Sequence, residues 1–381
     1  MLTQVRNRPA SPSKVPASVQ AEQIRVITVD DSALIRLSLN RHLNSLEDIE
    51  VVGQGQNGSE LVPLVQSLKP DVVVLDVEMP KMNGLEALQQ LMETHPTPVV
   101  MLSSLTSDGA AVTLQALEIG AFDFVVKPQP GTTMAETVEI LAEKIRWAAH
   151  HKHRRLAPRP KPSPIQPSKP LLQPSAPQIS APGTQAITAP LGRHDTLVMV
   201  ASSTGGPSAL TDFLSAIPPG LPIGGVIVQH MPPGFTTILS ERLDKTCHYH
   251  IVEAKAGHTL QRGQFLVAPG GQHLVFDAQG VAMLSNAPTV NGVRPAADVT
   301  MKSLAKSYGQ QILAVVLTGM GKDGYVGVKD IVDHGGRVLA QDAESCVVYG
   351  MPRHIIEAGL PIGVGSPQRL GHLIQESLAS D

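Results

Sequence analysis

Serine, histidine and aspartate each stand where an apolar run breaks off in the C-terminal half of the sequence. "VMVASSTGGPSAL", from Val198 to Leu210, ends its apolar part in Ser202 and Ser203, followed by Thr204, Gly205 and Gly206. His230 follows "GGVIVQ" directly, and Asp323 lies in "VVLTGMGKDG", where an apolar run gives way to a Gly-rich turn. A serine nucleophile needs a base to take its proton and an acid to orient that base. Three such residues on turns after separate strands therefore fit acyl transfer. The same strand–turn–glycine stretch, taken alone, also fits a phosphate cradle of backbone N–H groups at a helix start. It carries neither GxGxxG nor GxxxxGK[ST]. His273 in "APGGQHL" and Asp298 in "RPAADVTM" are the rival base and acid, and these residues leave open which serine would react.

The N-terminal half holds a different set. Asp30 and Asp31 follow "IRVITV", Asp76 ends "VVVLD", Ser103 and Ser104 end "VVMLSS", and Lys127 closes "FDFVVK". Carboxylates gathered at one rim repel one another unless a cation neutralises them, and an all-oxygen donor set suits Mg²⁺. With a lysine and a hydroxyl nearby, such a rim reads as a phosphoryl-acceptor site in which one carboxylate attacks phosphorus.

Two α/β units would position these groups. Residues 23–148 alternate short, fully apolar runs with amphipathic stretches, the pattern of a parallel sheet covered by helices on both faces. A second rhythm occupies 193–381, with strands expected at "TLVMVA", "GGVIVQ", "HIVEA", "QFLVAP", "HLVFD", "QILAVVLT" and "RVLAQ". Helices are expected over 207–217, 235–245, 296–307, 323–334 and 367–379. The fold class is α/β: two doubly wound, mostly parallel-sheet domains, one flavodoxin-like and one Rossmann-like with three layers. Residues 1–22 read as a disordered tail, and the Pro-rich 149–192 as a solvated linker.

Bulk properties agree. A chain of 381 residues exceeds one ordinary core, and its 42% hydrophobic and 17% charged residues are globular in character. A formal net charge of −3 gives no reason to expect a nucleic-acid partner. Two cysteines, Cys247 and Cys346, build no disulfide framework, and no apolar stretch has the length of a membrane span. A cytoplasmic protein without membrane insertion is expected.

"VDDSALIR", "LDVEMPKMNGLEAL", "VVMLSSLT" and "FDFVVKP" resemble the receiver domain of two-component response regulators. The resemblance implies Asp76 as phosphoacceptor and Asp30, Asp31, Asp76 and the Glu78 backbone carbonyl as Mg²⁺ ligands. It implies that Ser103 and Lys127 contact the phosphoryl group, and it puts Phe124 at the place of a rotameric aromatic switch. "SSTGGPSAL", "VQHMPPGFTTILSERLD", "LVAPGGQHL", "RPAADVTMKSLA", "VVLTGMGKDGYVG" and "AQDAESCVVYGMPR" resemble the catalytic domain of CheB-type chemotaxis methylesterases. This second resemblance implies Ser203 as nucleophile, His230 as base and Asp323 as acid. It implies the Met320 N–H in an oxyanion hole, with Thr204 beside the nucleophile and no cofactor for the hydrolysis. Ala201 departs from the family's turn, which has Gly there. Methyl-accepting chemotaxis receptors as substrate, hydrolysed at glutamate methyl esters or deamidated at glutamines, and a CheA-type histidine kinase as phosphodonor follow as expectations. So does an unphosphorylated receiver that covers the active site.

Overall fold

The computed structural model describes residues 23–129, 131–150 and 189–378. The expected tail and nearly all of the Pro-rich linker lie outside the described residues.

The first unit alternates β1 (Ile24–Val29), α1 (Ala33–Leu43), β2 (Ile49–Gly55), α2 (Leu61–Leu68), β3 (Val72–Asp76), α3 (Gly84–Thr94), β4 (Val99–Ser103), α4 (Ser107–Ile119), β5 (Asp123–Val126) and α5 (Met134–His150). Its sheet is parallel throughout, in the order β2-β1-β3-β4-β5. β3 and β4 are buried along their whole length, which is why they read as unbroken apolar runs rather than alternating ones. Helix starts are fixed locally. Ser32 accepts from the Ile35 N–H, Thr106 from the Gly109 N–H, and Asn83 and Glu86 form a reciprocal capping box.

The second unit comprises β6 (Ala189–Pro190), β7 (Thr196–Ser202), α6 (Gly206–Ser215), β8 (Ile223–Gln229), α7 (Phe235–Thr246), β9 (His250–Glu253), β10 (Gln261–Arg262), β11 (Gln264–Val267), β12 (His273–Phe276) and β13 (Ala282–Ser285). It continues with α8 (Ala297–Tyr308), β14 (Ile312–Val316), α9 (Tyr325–Asp333), β15 (Arg337–Gln341), α10 (Met351–Glu357), β16 (Gly363–Gly365) and α11 (Pro367–Leu378). Seven strands form one parallel sheet, ordered β16-β15-β14-β7-β8-β11-β9. Strand order reverses at β7, with β8 on one side and β14 on the other. In open α/β sheets the crevice at the carboxyl ends of the strands flanking such a reversal is where ligands bind.

Two boundaries differ from expectation. α5 continues to His150, beyond residue 148. β6, inside the expected linker, pairs antiparallel with β10, so the second unit begins before residue 193.

Candidate active site and phosphoacceptor site

At the carboxyl rim of the first sheet, carboxylate oxygens of Asp30, Asp31 and Asp76 lie within 4.8 Å of one another. Asp30 and Asp76 are buried, and Lys127 Nζ reaches both, at 2.9 Å from Asp30 Oδ2 and 2.7 Å from Asp76 Oδ2. Apart from that ammonium, neither Oδ2 has a hydrogen-bond donor among the described residues. Burial pushes the Asp76 carboxyl up to about 6 against the pull of Lys127, and the Asp30 charge adds to the rise. Burial also works against the Lys127 charge, but the two carboxylates outweigh it and hold the ammonium above its ordinary range. Three close carboxylates with one cation between them form a hard, oxygen-only donor set that fits a divalent ion such as Mg²⁺. Glu78 donates its N–H to Asp76 Oδ1 at 3.2 Å. The Ser103 hydroxyl is engaged elsewhere: it accepts from Thr113 Oγ1 at 2.7 Å and donates to the Ser104 carbonyl at 3.1 Å.

In the second sheet Ser203, His230 and Asp323 follow β7, β8 and β14, three neighbouring strands. Backbone bonds extend the ladder into the turns. Ser203 N–H donates to the Thr318 carbonyl at 3.0 Å and His230 N–H to the Ser202 carbonyl at 3.1 Å. His230 Nε2 lies 2.7 Å from Asp323 Oδ2. Asp323 is buried. Burial opposes its ionisation, but the His230 ring and the Ala297 and Asp298 N–H groups prevail and hold its carboxyl below the usual carboxylate range. An ionised acid there fixes the imidazole with its proton on Nε2 and leaves Nδ1 as an acceptor.

The rivals take other parts. His273 is fully buried with both ring nitrogens engaged by backbone, Nδ1 by the Ala296 N–H and Nε2 near the Pro288 carbonyl. Asp298 sits in the first turn of α8 and accepts from the Gly327 N–H at 2.8 Å. Ser202 is fully buried and donates to Gln229 Oε1 at 2.7 Å, whereas Ser203 is partly exposed at the rim.

Residues 198–374 match the family model described as CheB methylesterase, and residues 26–139 match that of the response regulator receiver domain. A Symbiobacterium thermophilum protein named protein-glutamate methylesterase/protein-glutamine glutaminase is 42% identical, over 88% of this chain and 92% of its own. Proteins of the same name from Thiobacillus denitrificans and Thermotoga maritima are each 41% identical, over 94% and 88% of this chain and 98% and 93% of their own. The chain belongs to the CheB methylesterase family. It joins a receiver domain to a methylesterase domain, two parallel α/β units. Among its described residues no helix is long and apolar enough to cross a membrane.

This CheB-family chain has site contacts that its motifs did not announce. Gln229 Nε2 donates to the carbonyls of Ser203 (2.9 Å) and His230 (3.2 Å), tying the two turns together. Thr318, buried on the turn before Asp323, donates to the Thr204 carbonyl at 3.0 Å and receives the Val348 N–H at 2.9 Å. From the receiver, Asp123 Oδ2 accepts from Thr204 Oγ1 at 2.5 Å and pairs with Lys144 at 2.6 Å. Phe124 stacks on Phe235, ring centroids 4.6 Å apart, and Glu118 pairs with Arg242. α4 thus lies against α6 and α7, and one buried apolar cluster runs through both domains. For Asp123 the signal was indirect: it stands inside an apolar strand, where an unpaired carboxylate is costly.

Proposed function

We propose that the chain is a phosphorylation-regulated serine hydrolase that demethylates glutamate methyl esters, and deamidates glutamines, on methyl-accepting chemotaxis receptors. The 2.7 Å contact between His230 and Asp323 beside the Ser203 turn carries this reading. His230 Nδ1 takes the Ser203 proton as Oγ attacks the ester carbonyl, and N–H groups at the turn, that of Met320 among them, hold the oxyanion. The same nitrogen returns the proton to the departing methoxide, so methanol leaves and an acyl-serine remains. Water, deprotonated by His230, then attacks the acyl carbon. The glutamate carboxylate is released and Ser203 regains its hydrogen. With a glutamine side chain the leaving group is ammonia and the steps are otherwise the same.

Asp76 is the proposed phosphoacceptor, with a CheA-type histidine kinase as donor. Asp30, Asp31, Asp76 and the Glu78 carbonyl would hold Mg²⁺, which supplies charge neutralisation of the phosphoryl oxygens when bound. Lys127 already bridges two of these acids and is placed to contact the phosphoryl group, and Ser103 would have to leave Thr113 to do so. The domain division of 23–148, linker and 193–381, with the small shifts noted above, serves a cover that moves. The Asp123–Thr204 bond is adjacent in sequence to Ser203 and supports a receiver that closes the rim until phosphorylation releases it.

The test is methanol release from methylated receptor by the full chain, with and without a small phosphodonor. Ser203→Ala should abolish release while leaving phosphorylation of Asp76 intact. Undiminished release from that variant would overturn the assignment.

A further inference from the structure

Asn291 lies outside the Ser–His–Asp set and is exposed at the margin of a cavity of about 470 Å³, yet its side chain reaches inward. Its single amide nitrogen is 3.0 Å from Asp323 Oδ1 and 2.9 Å from Asp298 Oδ2. An amide nitrogen has two hydrogens, and here each goes to a different carboxylate. The backbone is arranged for this reach. Val290 and Val293 exchange both backbone hydrogen bonds across Asn291-Gly292, with φ of 53° and 77° at the two central residues. That is the two-residue Asn-Gly hairpin turn, and asparagine is among the few side-chain-bearing residues that tolerate the left-handed region.

Asp323 needs that hydrogen bond. Oδ2 serves His230 and the Ala297 N–H, at 2.7 and 2.6 Å, while on Oδ1 the only donor besides Asn291 among the described residues is the Asp298 N–H at 3.2 Å. Without the amide, the carboxylate loses its closer Oδ1 donor and is freer to rotate about its own bond to Cβ. Asp298, pinned by the Gly327 N–H, holds the other hydrogen of the amide and so fixes its plane. We infer that Asn291 is a positioning residue for the acid of the catalytic set, with Asp298 as its anchor, an inference that rests on the proposed role of Asp323.

The ionisable groups around the amide are Asp298, Asp323 and His230 on the inner side and Lys322, His354 and Glu357 across the cavity, with the Tyr325 phenol beside them. Asp298 is itself pushed above the usual carboxylate range, by burial and by the Asp323 charge, and the Asn291 amide works against that rise. A negative charge introduced at position 291 would therefore act on a set that already holds two buried acids.

The experiment uses the full chain with a small phosphodonor, and follows methanol release from methylated receptor and fluorophosphonate labelling of Ser203 across the range in which histidine titrates. Asn291→Gly keeps the left-handed turn and removes the amide. Its kcat should fall about 10- to 100-fold, the worth of a hydrogen bond to a charged group, with KM and Tm little changed. Asn291→Asp keeps size and turn but adds a carboxylate facing Asp298 and Asp323. Its acid limb, in hydrolysis and in labelling, should move to higher pH because added negative charge favours the protonated ring. Unaltered kcat and an unmoved limb in both variants would overturn the inference, as would an activity loss matched by a fall in Tm with no shift of the limb. Ser203→Ala and Asp323→Asn run beside them. If either control keeps full rate, the catalytic reading fails and takes this inference with it. If both collapse while the Asn291 variants behave as the unaltered chain, only the inference fails.

Discussion

Ser202 and Ser203 are neighbours with opposite surroundings, and the contrast lies in a glutamine that no motif points to. Ser202 spends its hydroxyl on Gln229, which in turn holds the carbonyls of Ser203 and His230. Ser202→Ala should therefore cost stability and not chemistry. Gln229 Oε1 loses its donor in a buried place, worth about 1–3 kcal/mol in a denaturant titration, while methanol release stays close to that of the unaltered chain. Ser203, His230 and Asp323 were open to notice in the sequence because the first two directly follow apolar runs and the third lies on the Gly-rich turn after one. What the spacing left open, His273 against His230 and Asp298 against Asp323, depended on side-chain direction. His273 points into backbone and Asp298 supports its neighbour from behind. Asn291 and Asp123 were not singled out at all: Asn291 meets Asp323 across 32 residues of chain and Asp123 meets Thr204 across 81.

Among the elements, long apolar strands and amphipathic helices were the readable part, and β7, β8, β14, α6, α7 and α8 fall within a few residues of expectation. The short pieces were not readable. β6, β10, β13 and β16 have two to four residues each and show no period. α10, "MPRHIIE", begins with a proline in its first turn, which reads as a breaker, although that position needs no N–H donor. The Ser203 turn depends on Gly205, which caps α6 at φ 77°, and a β-carbon built there would lie 2.5 Å from Val347 Cβ. Gly205→Ala therefore combines backbone strain with a clash two residues from Ser203, the proposed nucleophile. Such a displacement should lower kcat by up to about a hundredfold, more than it changes KM. Steady-state methanol release separates the two parameters.

At the scale of the whole molecule, the receiver and the methylesterase domain meet where α4 packs on α6 and α7 over a shared apolar cluster, and a hydrogen bond at Thr204, an aromatic stack at Phe235 and an ion pair at Arg242 join them there. Stacked rings contribute about 0.5–1.5 kcal/mol beyond their buried area, and a partly exposed ion pair no more than about 1 kcal/mol. These polar and stacking terms are small beside the apolar packing of α4, so the proposed cover would rest mainly on that packing. Arg242→Glu sets two carboxylates against each other at Glu118 and should raise the activity of the unphosphorylated chain toward that of the phosphorylated one. Methanol release without phosphodonor measures it; a basal rate equal to that of the unaltered chain would count against the cover.

Ser203 and His230 directly follow β7 and β8, and Asp323 lies on the turn after β14, three strands that are neighbours in one hydrogen-bonded sheet. Those strands are paired along their length, so a receiver at the rim would act on access to the turns rather than on the spacing of the strands. A cover on such a sheet acts as a counter of open molecules rather than a tuner of each one. Partial phosphorylation would then scale the maximal rate in proportion to the open fraction, and every open molecule would turn over at one fixed pace.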